Sequence, residues 1–170
     1  MKKSLLSFLL ILFFIAGYSQ DPLWKAKRIT ARECQNESNS WMDFLKQIEL
    51  QQLPGEAIAN IACDSKYWMW INGEPVVYEG QLKRGPTPAD TYYDKVDIAP
   101  FLKEGQNTIA ILVWYFGKDG FSHNSSGQAG LVFQCDDIGL FSDGTWQARI
   151  NKGFEYAPRP NPNFRLPESH

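Results

Sequence analysis

The most constraining feature of the sequence is a short aromatic run that leads into an Asn-Gly pair. Residues Tyr67–Ile71 read YWMWI, and Asn72 and Gly73 follow directly. Both central residues of a type I′ turn need a positive φ angle, which Gly adopts freely and Asn tolerates. The pair therefore predicts a β-hairpin. Because Pro75 cannot donate a ladder hydrogen bond, the return strand is expected to begin after it, at Val76–Tyr78.

As a strand, this run divides its side chains between two faces. Trp68 and Trp70 share one face, whereas Tyr67, Met69 and Ile71 share the other. One set is expected to lie in a core. The other set would be covered by a second domain, exposed as a stacking platform, or packed beneath a loop.

Further short runs, separated by Gly, Pro, Asn and Asp, predict an all-β fold. They are apolar or alternating and rich in β-branched and aromatic residues: Ala57–Asp64, Tyr92–Ile98, Thr108–Phe116, Ala129–Cys135 and Thr145–Ile150. Such spacing is typical of a β-sandwich or barrel. The nearly all-apolar run Thr108–Phe116 suits a strand covered on both faces. The segment Trp41–Leu50 fits both helical spacing and alternation, and its periodicity alone favours a helix.

The first 20 residues have the pattern of a secretory signal peptide. Lys2 and Lys3 precede an apolar run, Leu5–Ile15, and a short segment with small residues follows. Cleavage near Ser19 would leave a domain at 21–156. The segment 157–170 is rich in proline and is expected to be a linker or an extended arm, not a strand. The apolar run is shorter than the about 20 residues of a spanning helix, and an uncleaved anchor is the alternative. We therefore expect a periplasmic or secreted protein that is free of the membrane after cleavage.

Charge and cysteine content narrow the possible functions. The 17 basic and 19 acidic side chains give a net charge of −2, which carries no electrostatic footprint for nucleic acid or anionic lipid. Cys34, Cys63 and Cys135 match no zinc-site spacing. Cys63 and Cys135 lie in apolar runs and are expected to be small buried residues, with one disulfide and one free thiol as the alternative.

Four motifs taken in order resemble a known family. They are Tyr67–Gly73, Tyr93–Ala110, Trp114–Gly127 and Asn163–Ser169. The set resembles the N-terminal module of bacterial α-L-rhamnosidases, glycoside hydrolase family 78, over most of the chain. The resemblance implies a jelly-roll β-sandwich, similar to galactose-binding domains, in which Trp41–Leu50 is a strand rather than a helix.

The resemblance also implies a function for the chain. Enzymes of that family remove terminal α-L-rhamnose from plant glycans with inversion, which uses two carboxyl groups about 6.5–9.5 Å apart. In the family these groups lie in a large α-helical barrel that follows the sandwich. The chain is therefore expected to be a non-catalytic accessory domain, inactive alone, whose partner is a catalytic domain C-terminal to it. A free-standing carbohydrate-binding module, or the sandwich domain of another glycosidase such as a β-galactosidase, is the alternative.

The candidate contact residues are four aromatic residues and one histidine. Because aromatic rings stack on the apolar faces of sugars, these residues are expected to contact a rhamnose-containing glycan or a neighbouring domain: Trp68, Trp70, Trp114, Tyr115 and His123.

No catalytic residue is expected, and no residue is assigned as a metal ligand. Ser122, His123 and Asp119 do not predict a triad, since a triad is recognised by geometry and adjacent side chains on a strand point to opposite faces. The Gly-rich segment Gly117–Gly130 is instead interpreted as a contact loop. Carboxylates could hold a structural calcium ion, although turn capping and solvation explain them equally well: Asp90, Asp94 and Asp97. No other cofactor is expected.

Overall fold

The computed structural model describes residues 23–34, 36–82, 91–120, 123–155 and 168–169. Its strands are β1 (Ser40–Leu50), β2 (Ile58–Cys63), β3 (Lys66–Ile71), β4 (Glu74–Gly80), β5 (Asp94–Asp97), β6 (Gly105–Tyr115), β7 (Leu131–Cys135), β8 (Leu140–Phe141), β9 (Gln147–Ile150), β10 (Phe154–Glu155) and β11 (Glu168–Ser169). Short 3₁₀ helices occupy Ala99–Phe101 and Asp136–Ile138. Within the described ranges no helix is long and apolar enough to cross a membrane. The expected signal peptide at 1–20 lies outside these ranges.

Two antiparallel sheets pack face to face as a β-sandwich. The five-stranded sheet has the order β4-β3-β6-β1-β9, and the four-stranded sheet has the order β5-β2-β7-β8. The core between them contains large, fully buried side chains from both sheets, including Phe44, Tyr67, Ile111 and Phe133. This architecture confirms the predicted all-β, jelly-roll sandwich fold.

The segment Trp41–Leu50 forms β1, so the helix favoured by its periodicity is wrong and the strand implied by the family resemblance is correct. β1 pairs with β6 along its whole length, with Phe44 opposite Ile111. Met42 and Phe44 are 0% and 1% exposed. Pairing with the long apolar strand β6 buries alternate residues of β1, and this tertiary contact outweighs the local helical spacing.

The Asn-Gly hairpin forms as predicted, with φ angles of 54° at Asn72 and 87° at Gly73. The return strand β4 begins at Glu74, however, and Pro75 pairs with Trp70 inside the ladder. The prediction that β4 starts after Pro75 is therefore wrong. β4 is an edge strand with β3 as its one sheet neighbour. An edge position tolerates proline because the missing N–H is not needed by a second neighbour.

The Asn72 side chain ties the hairpin to the turn before β6. Its Nδ2 donates to the Phe101 carbonyl oxygen and to Asn107 Oδ1, both at 2.9 Å, and its Oδ1 accepts from Thr108 N at 3.1 Å. The turn itself is the 3₁₀ helix at Ala99–Phe101. Asn72 thus contributes both its backbone conformation and three long-range hydrogen bonds.

The outer face of the four-stranded sheet is covered by the N-terminal segment. Gln134 on β7 is 0% exposed although its neighbours Phe133 and Cys135 point into the core. Its Oε1 accepts from Lys25 N at 2.7 Å and Ala26 N at 3.1 Å. The N-terminal segment therefore closes this face of the sandwich.

The described cysteines carry no disulfide. Cys63 and Cys135 are buried in the core, and Cys34 is half-buried. The prediction of small buried residues at Cys63 and Cys135 is confirmed. Burial raises the pKa of Cys135 to about 11, so its thiol stays protonated at neutral pH.

The end of the chain departs from the expected extended arm. Most of 157–170 lies outside the described residues, but Glu168–Ser169 forms β11 and pairs with β10. The expectation that this arm contains no strand is wrong for these two residues. Backbone pairing needs only N–H and C=O groups, so it does not require the apolar alternation that the segment lacks.

Candidate functional site

An aromatic cluster lies on the outer face of the five-stranded sheet. We call it the outer aromatic cluster, and its members are Trp41, Trp68, Trp114, Phe116 and Phe154. The Trp41 ring is stacked nearly parallel on Trp68, Trp114 and Phe154, with ring centroids 5.7, 4.8 and 4.1 Å apart. Trp114 also meets Phe116 edge to face at 4.5 Å. The rings of this cluster therefore use much of their surface against one another.

The hydrogen-bonding groups of this cluster are unevenly satisfied. Trp114 Nε1 donates to Asn39 Oδ1 at 2.8 Å. The buried Trp41 Nε1 has no acceptor among the described residues. A buried N–H without a partner costs about 1–3 kcal/mol. The indole N–H of Trp41 is such a donor at this end of the sheet.

The cluster continues, through its member Trp68, into a set of partly exposed apolar side chains on three strands. Trp70 on β3 lies opposite Ala110 on β6, which lies opposite Leu45 on β1. In the next row Trp68 lies opposite Leu112. We call these five residues the outer-face patch, and all of them are half-buried. Trp68 and Trp70 thus share the outer face, as the strand alternation predicted.

Tyr115 does not belong to this surface. It follows Trp114 on β6, so its side chain points to the opposite face, where it is 1% exposed within the core. Burial, as the largest cause, raises the pKa of its hydroxyl. The burial of its ring in the core contradicts the expectation that Tyr115 contacts a glycan or a second domain.

His123 is also buried, at 4% exposed, and it is part of a polar network. Its Nε2 lies 3.5 Å from Asp64 Oδ2 and 3.4 Å from Ser65 Oγ. Its Nδ1 lies 3.1 Å from the Leu82 carbonyl oxygen. The ring meets Phe116 edge to face at 5.5 Å. His123 therefore fastens its loop to the turn between β2 and β3, and it is not a surface contact as the sequence suggested.

Asp64 is the acceptor at the centre of this network. It is 3% exposed and accepts hydrogen bonds from Ser125 Oγ at 2.9 Å, Ser126 N at 2.8 Å and Ser126 Oγ at 2.6 Å. Burial raises the pKa of Asp64, but the hydrogen bonds from His123, Ser126 and Ser125 together outweigh it and lower the pKa to about 2. Asp64 is thus an anchor for the Gly117–Gly130 loop, and its carboxylate is charged at neutral pH.

Within the described residues the acidic partner of His123 is Asp64 and not Asp119. Ser122 lies outside the described residues, and His123 pairs with Asp64. Asp119 instead accepts a hydrogen bond from Ser125 N at 2.8 Å. The role of Asp64 was missed from the sequence because the strand-like run Ala57–Asp64 gives no sign of the distant loop that packs on it.

A cleft opens at the edge of the sandwich, between β4 of one sheet and β5 of the other. We call it the edge cleft. It has a volume of about 660 Å³, and its lining comes mainly from two chain segments and the ring of one core residue: Tyr67, Val77, Glu79, Gly80, Gln81, Tyr93, Asp94, Lys95 and Val96. None of these residues was singled out from the sequence as a sugar contact.

The carboxylates considered for calcium have structural partners. Asp94 Oδ2 accepts from Tyr67 Oη at 2.9 Å and Gln81 N at 2.8 Å. Asp97 Oδ1 accepts from Ala57 N at 3.2 Å and Ala99 N at 3.0 Å. Asp90 lies outside the described residues. Among the residues that the structure places, no three His, Cys, Asp or Glu side chains are grouped to hold a metal ion.

Comparisons with known proteins identify the fold. No family model and no curated protein sequence matches the chain. Among solved structures, a family 78 rhamnosidase from Bacillus sp. GL1 matches with a TM-score of 0.69 and 29% identity, over 79% of this chain and 14% of that enzyme. The α-L-rhamnosidase of Aspergillus terreus matches with a TM-score of 0.58 and 21% identity, over 78% of this chain and 17% of that one.

A third structure extends the coverage. The α-L-rhamnosidase of Streptomyces avermitilis, solved with L-rhamnose, matches with a TM-score of 0.58 and 19% identity, over 91% of this chain and 15% of that enzyme. The two matches below 25% identity support the fold alone. This chain spans 14–17% of the length of these enzymes. The resemblance drawn from the sequence is thereby confirmed: the chain is similar to one β-sandwich domain of a family 78 α-L-rhamnosidase.

Proposed function

We propose that this chain is a non-catalytic accessory domain of a secreted, α-L-rhamnosidase-like glycoside hydrolase that acts on rhamnose-containing plant glycans. The observation that carries the proposal is the coverage of the family 78 match, which takes in 79% of this chain but 14% of the enzyme. An enzyme of that kind has most of its length outside the part that this chain resembles. Catalysis is assigned to such a further domain.

The ionisable groups of the described sandwich support a non-catalytic role. A general acid for glycoside hydrolysis needs a protonated carboxyl group with a raised pKa that reaches the glycosidic oxygen. Asp64 is enclosed by its loop, and its pKa of about 2 keeps it ionised. Among the described carboxylates, Asp64 has the largest pKa change. Its pKa is lowered, whereas a general acid needs a raised pKa, and its burial keeps substrate away from it.

The outer-face patch supports contact with a neighbouring domain. The patch contains an apolar row formed by Trp70, Ala110 and Leu45. In an antiparallel sheet with one face in water, the side chains on that face are usually polar. Aromatic residues are enriched at protein interfaces. We assign Trp68 and Trp70 to this interdomain contact, with the glycan as the alternative partner, and Trp114 to the outer aromatic cluster on the same face.

Secretion rests on the N-terminal pattern of Lys2, Lys3 and the apolar run Leu5–Ile15. Expression of the full chain in a bacterium with a Sec pathway should deliver it to the periplasm. N-terminal sequencing of that product should begin near Gln20. Recovery of the uncleaved chain in the membrane fraction would instead support the anchor.

The central test measures hydrolysis of p-nitrophenyl α-L-rhamnoside by the purified chain, with a complete family 78 rhamnosidase as the positive control. We expect no release of p-nitrophenol above the buffer blank. A second test is to sequence the reading frame downstream of His170. On this proposal it should encode a helical catalytic barrel. Turnover by the purified chain, abolished by a carboxylate-to-amide substitution in it, would refute a non-catalytic role.

A further inference from the structure

We propose that the edge cleft binds a single neutral pyranose residue. This site lies at the edge of the sandwich, none of its lining residues belongs to the outer-face patch, and the proposal goes beyond the accessory role without depending on it. Its volume of about 660 Å³ falls within the range of about 300–1,000 Å³ that small-molecule sites occupy. Polar and apolar groups converge there from strands of both sheets.

Two carboxylates of the cleft are held in place by neighbouring groups. Asp94 Oδ2 is fixed by Tyr67 Oη at 2.9 Å and by Gln81 N at 2.8 Å. Glu79 forms an ion pair with Lys66. Acceptors that are already oriented lose little conformational entropy when a ligand binds. Sugar hydroxyl groups are donors of the kind that such carboxylates accept in strong, charge-assisted hydrogen bonds.

The remaining walls suit the carbon face of a sugar ring. Tyr93, Val77 and Val96 line the cleft and are partly exposed. Trp24 meets the Tyr93 ring edge to face at 5.5 Å and so supports it from the N-terminal segment. Lys95 Nζ lies 5.6 Å from the centroid of the Tyr93 ring and brings an ammonium donor to the same wall. An apolar wall with a few placed polar groups is the usual composition of a ligand site.

The charges favour a neutral sugar over an acidic one. The lining carries the carboxylates Glu79 and Asp94 and the ammonium group of Lys95, and Lys66 beside the lining pairs with Glu79. A uronic acid would add a third carboxylate, and like charges brought together at a binding site reduce affinity. We therefore expect a neutral pyranose to bind more tightly than its uronate counterpart.

The experiment titrates the purified protein with methyl α-L-rhamnoside, methyl β-D-galactoside, methyl α-D-glucoside and galacturonate, followed by backbone amide shifts in NMR. We expect saturable binding of at least one neutral glycoside, with the largest shifts at Gln81 and Lys95. Glu79→Gln and Lys95→Met should each weaken that binding about tenfold, since each removes a charged hydrogen-bonding partner. Both residues are exposed, so the variants should fold.

Matched controls separate the cleft from other surfaces. Tyr78→Ser alters a residue that is 84% exposed, adjoins Glu79 on β4 and does not line the cleft, so it should leave affinity unchanged. Trp70→Ala tests the outer-face patch in the same way. The proposal is overturned if no neutral glycoside binds saturably, or if binding survives both cleft variants and is lost in Trp70→Ala. Neither result bears on the accessory role, which the rhamnoside assay and the downstream frame test separately.

Discussion

Replacing Asp64 with asparagine tests whether the buried network anchors the Gly117–Gly130 loop. The substitution keeps the shape of the side chain but removes the charge that His123, Ser125 and Ser126 surround. A carboxyl group whose pKa changes from 3.8 to about 2 on folding stabilises the folded state by about 2 kcal/mol at neutral pH. We therefore expect Asp64→Asn to lower the free energy of unfolding by about 2 kcal/mol at pH 7.

The pH dependence of this loss has a definite sign. The folded-state pKa is depressed, so the stabilisation by the charged carboxylate is present above the ordinary pKa of 3.8 and disappears as the pH falls towards about 2. The difference in unfolding free energy between the two proteins should be full above about pH 5 and should shrink steadily below about pH 4. Urea unfolding at a series of pH values, followed by tryptophan fluorescence, measures this difference.

The control is Asp119→Asn, because Asp119 is an exposed carboxylate in the same loop that accepts one hydrogen bond, from Ser125 N. That change should alter the free energy of unfolding by less than about 0.5 kcal/mol. If Asp64→Asn costs no more than the control, or if its cost is the same at pH 3 and pH 7, the charged-anchor reasoning is refuted.

Three further predictions concern the hairpin, the core and the thiols. Asn72→Ala should lower the free energy of unfolding by about 3 kcal/mol in chemical denaturation, since alanine resists the positive φ and leaves the partners of the Asn72 side chain unpaired. Gly80→Ala should cost about 1–3 kcal/mol in the same assay, because a Cβ at this position would overlap the Tyr67 ring, and an unchanged midpoint would contradict that packing. Ellman's reagent should modify Cys34 in the native protein and reach the two buried cysteines only after denaturation, so that three fast-reacting native thiols would disprove their burial.

The parts of the fold that follow from local sequence were predictable. The Asn72-Gly73 turn depends on two residues that accept positive φ, and both adopt it. The alternation in β3 separates Trp68 and Trp70 from the core residues Tyr67, Met69 and Ile71, because side chains of a strand alternate strictly. In these places the neighbouring residues in the sequence determine the structure.

The parts that depend on long-range packing were not predictable. The two-residue strand β8 has no recognisable pattern, since its pairing with Gln134 and Cys135 is fixed by the fold around it. His123 was expected at the surface, but Asp64 from a distant strand end buries and pairs with it. Tyr115 was grouped with Trp114 because they are adjacent, although alternation on β6 sends its ring into the core.

The edge cleft could not be foreseen for a related reason. Its walls come from β4 and β5, which are edge strands of different sheets. Single residues such as Glu79 and Lys95 have the composition of any exposed strand position. The relation between them becomes visible only when the two sheets are stacked and their edges meet.

The two outer faces of the sandwich differ in how far they are covered, and this difference connects the fold to its proposed role. The N-terminal segment covers the four-stranded sheet and satisfies the buried amide of Gln134. On the five-stranded sheet Phe154 covers Trp41, while Trp70 and Leu112 remain half-exposed. From Ile109 to Trp114, β6 is apolar on both faces, and a strand of that composition is normally buried on both. A second domain that covered the exposed half of this face would complete the burial that the apolar composition of β6 favours.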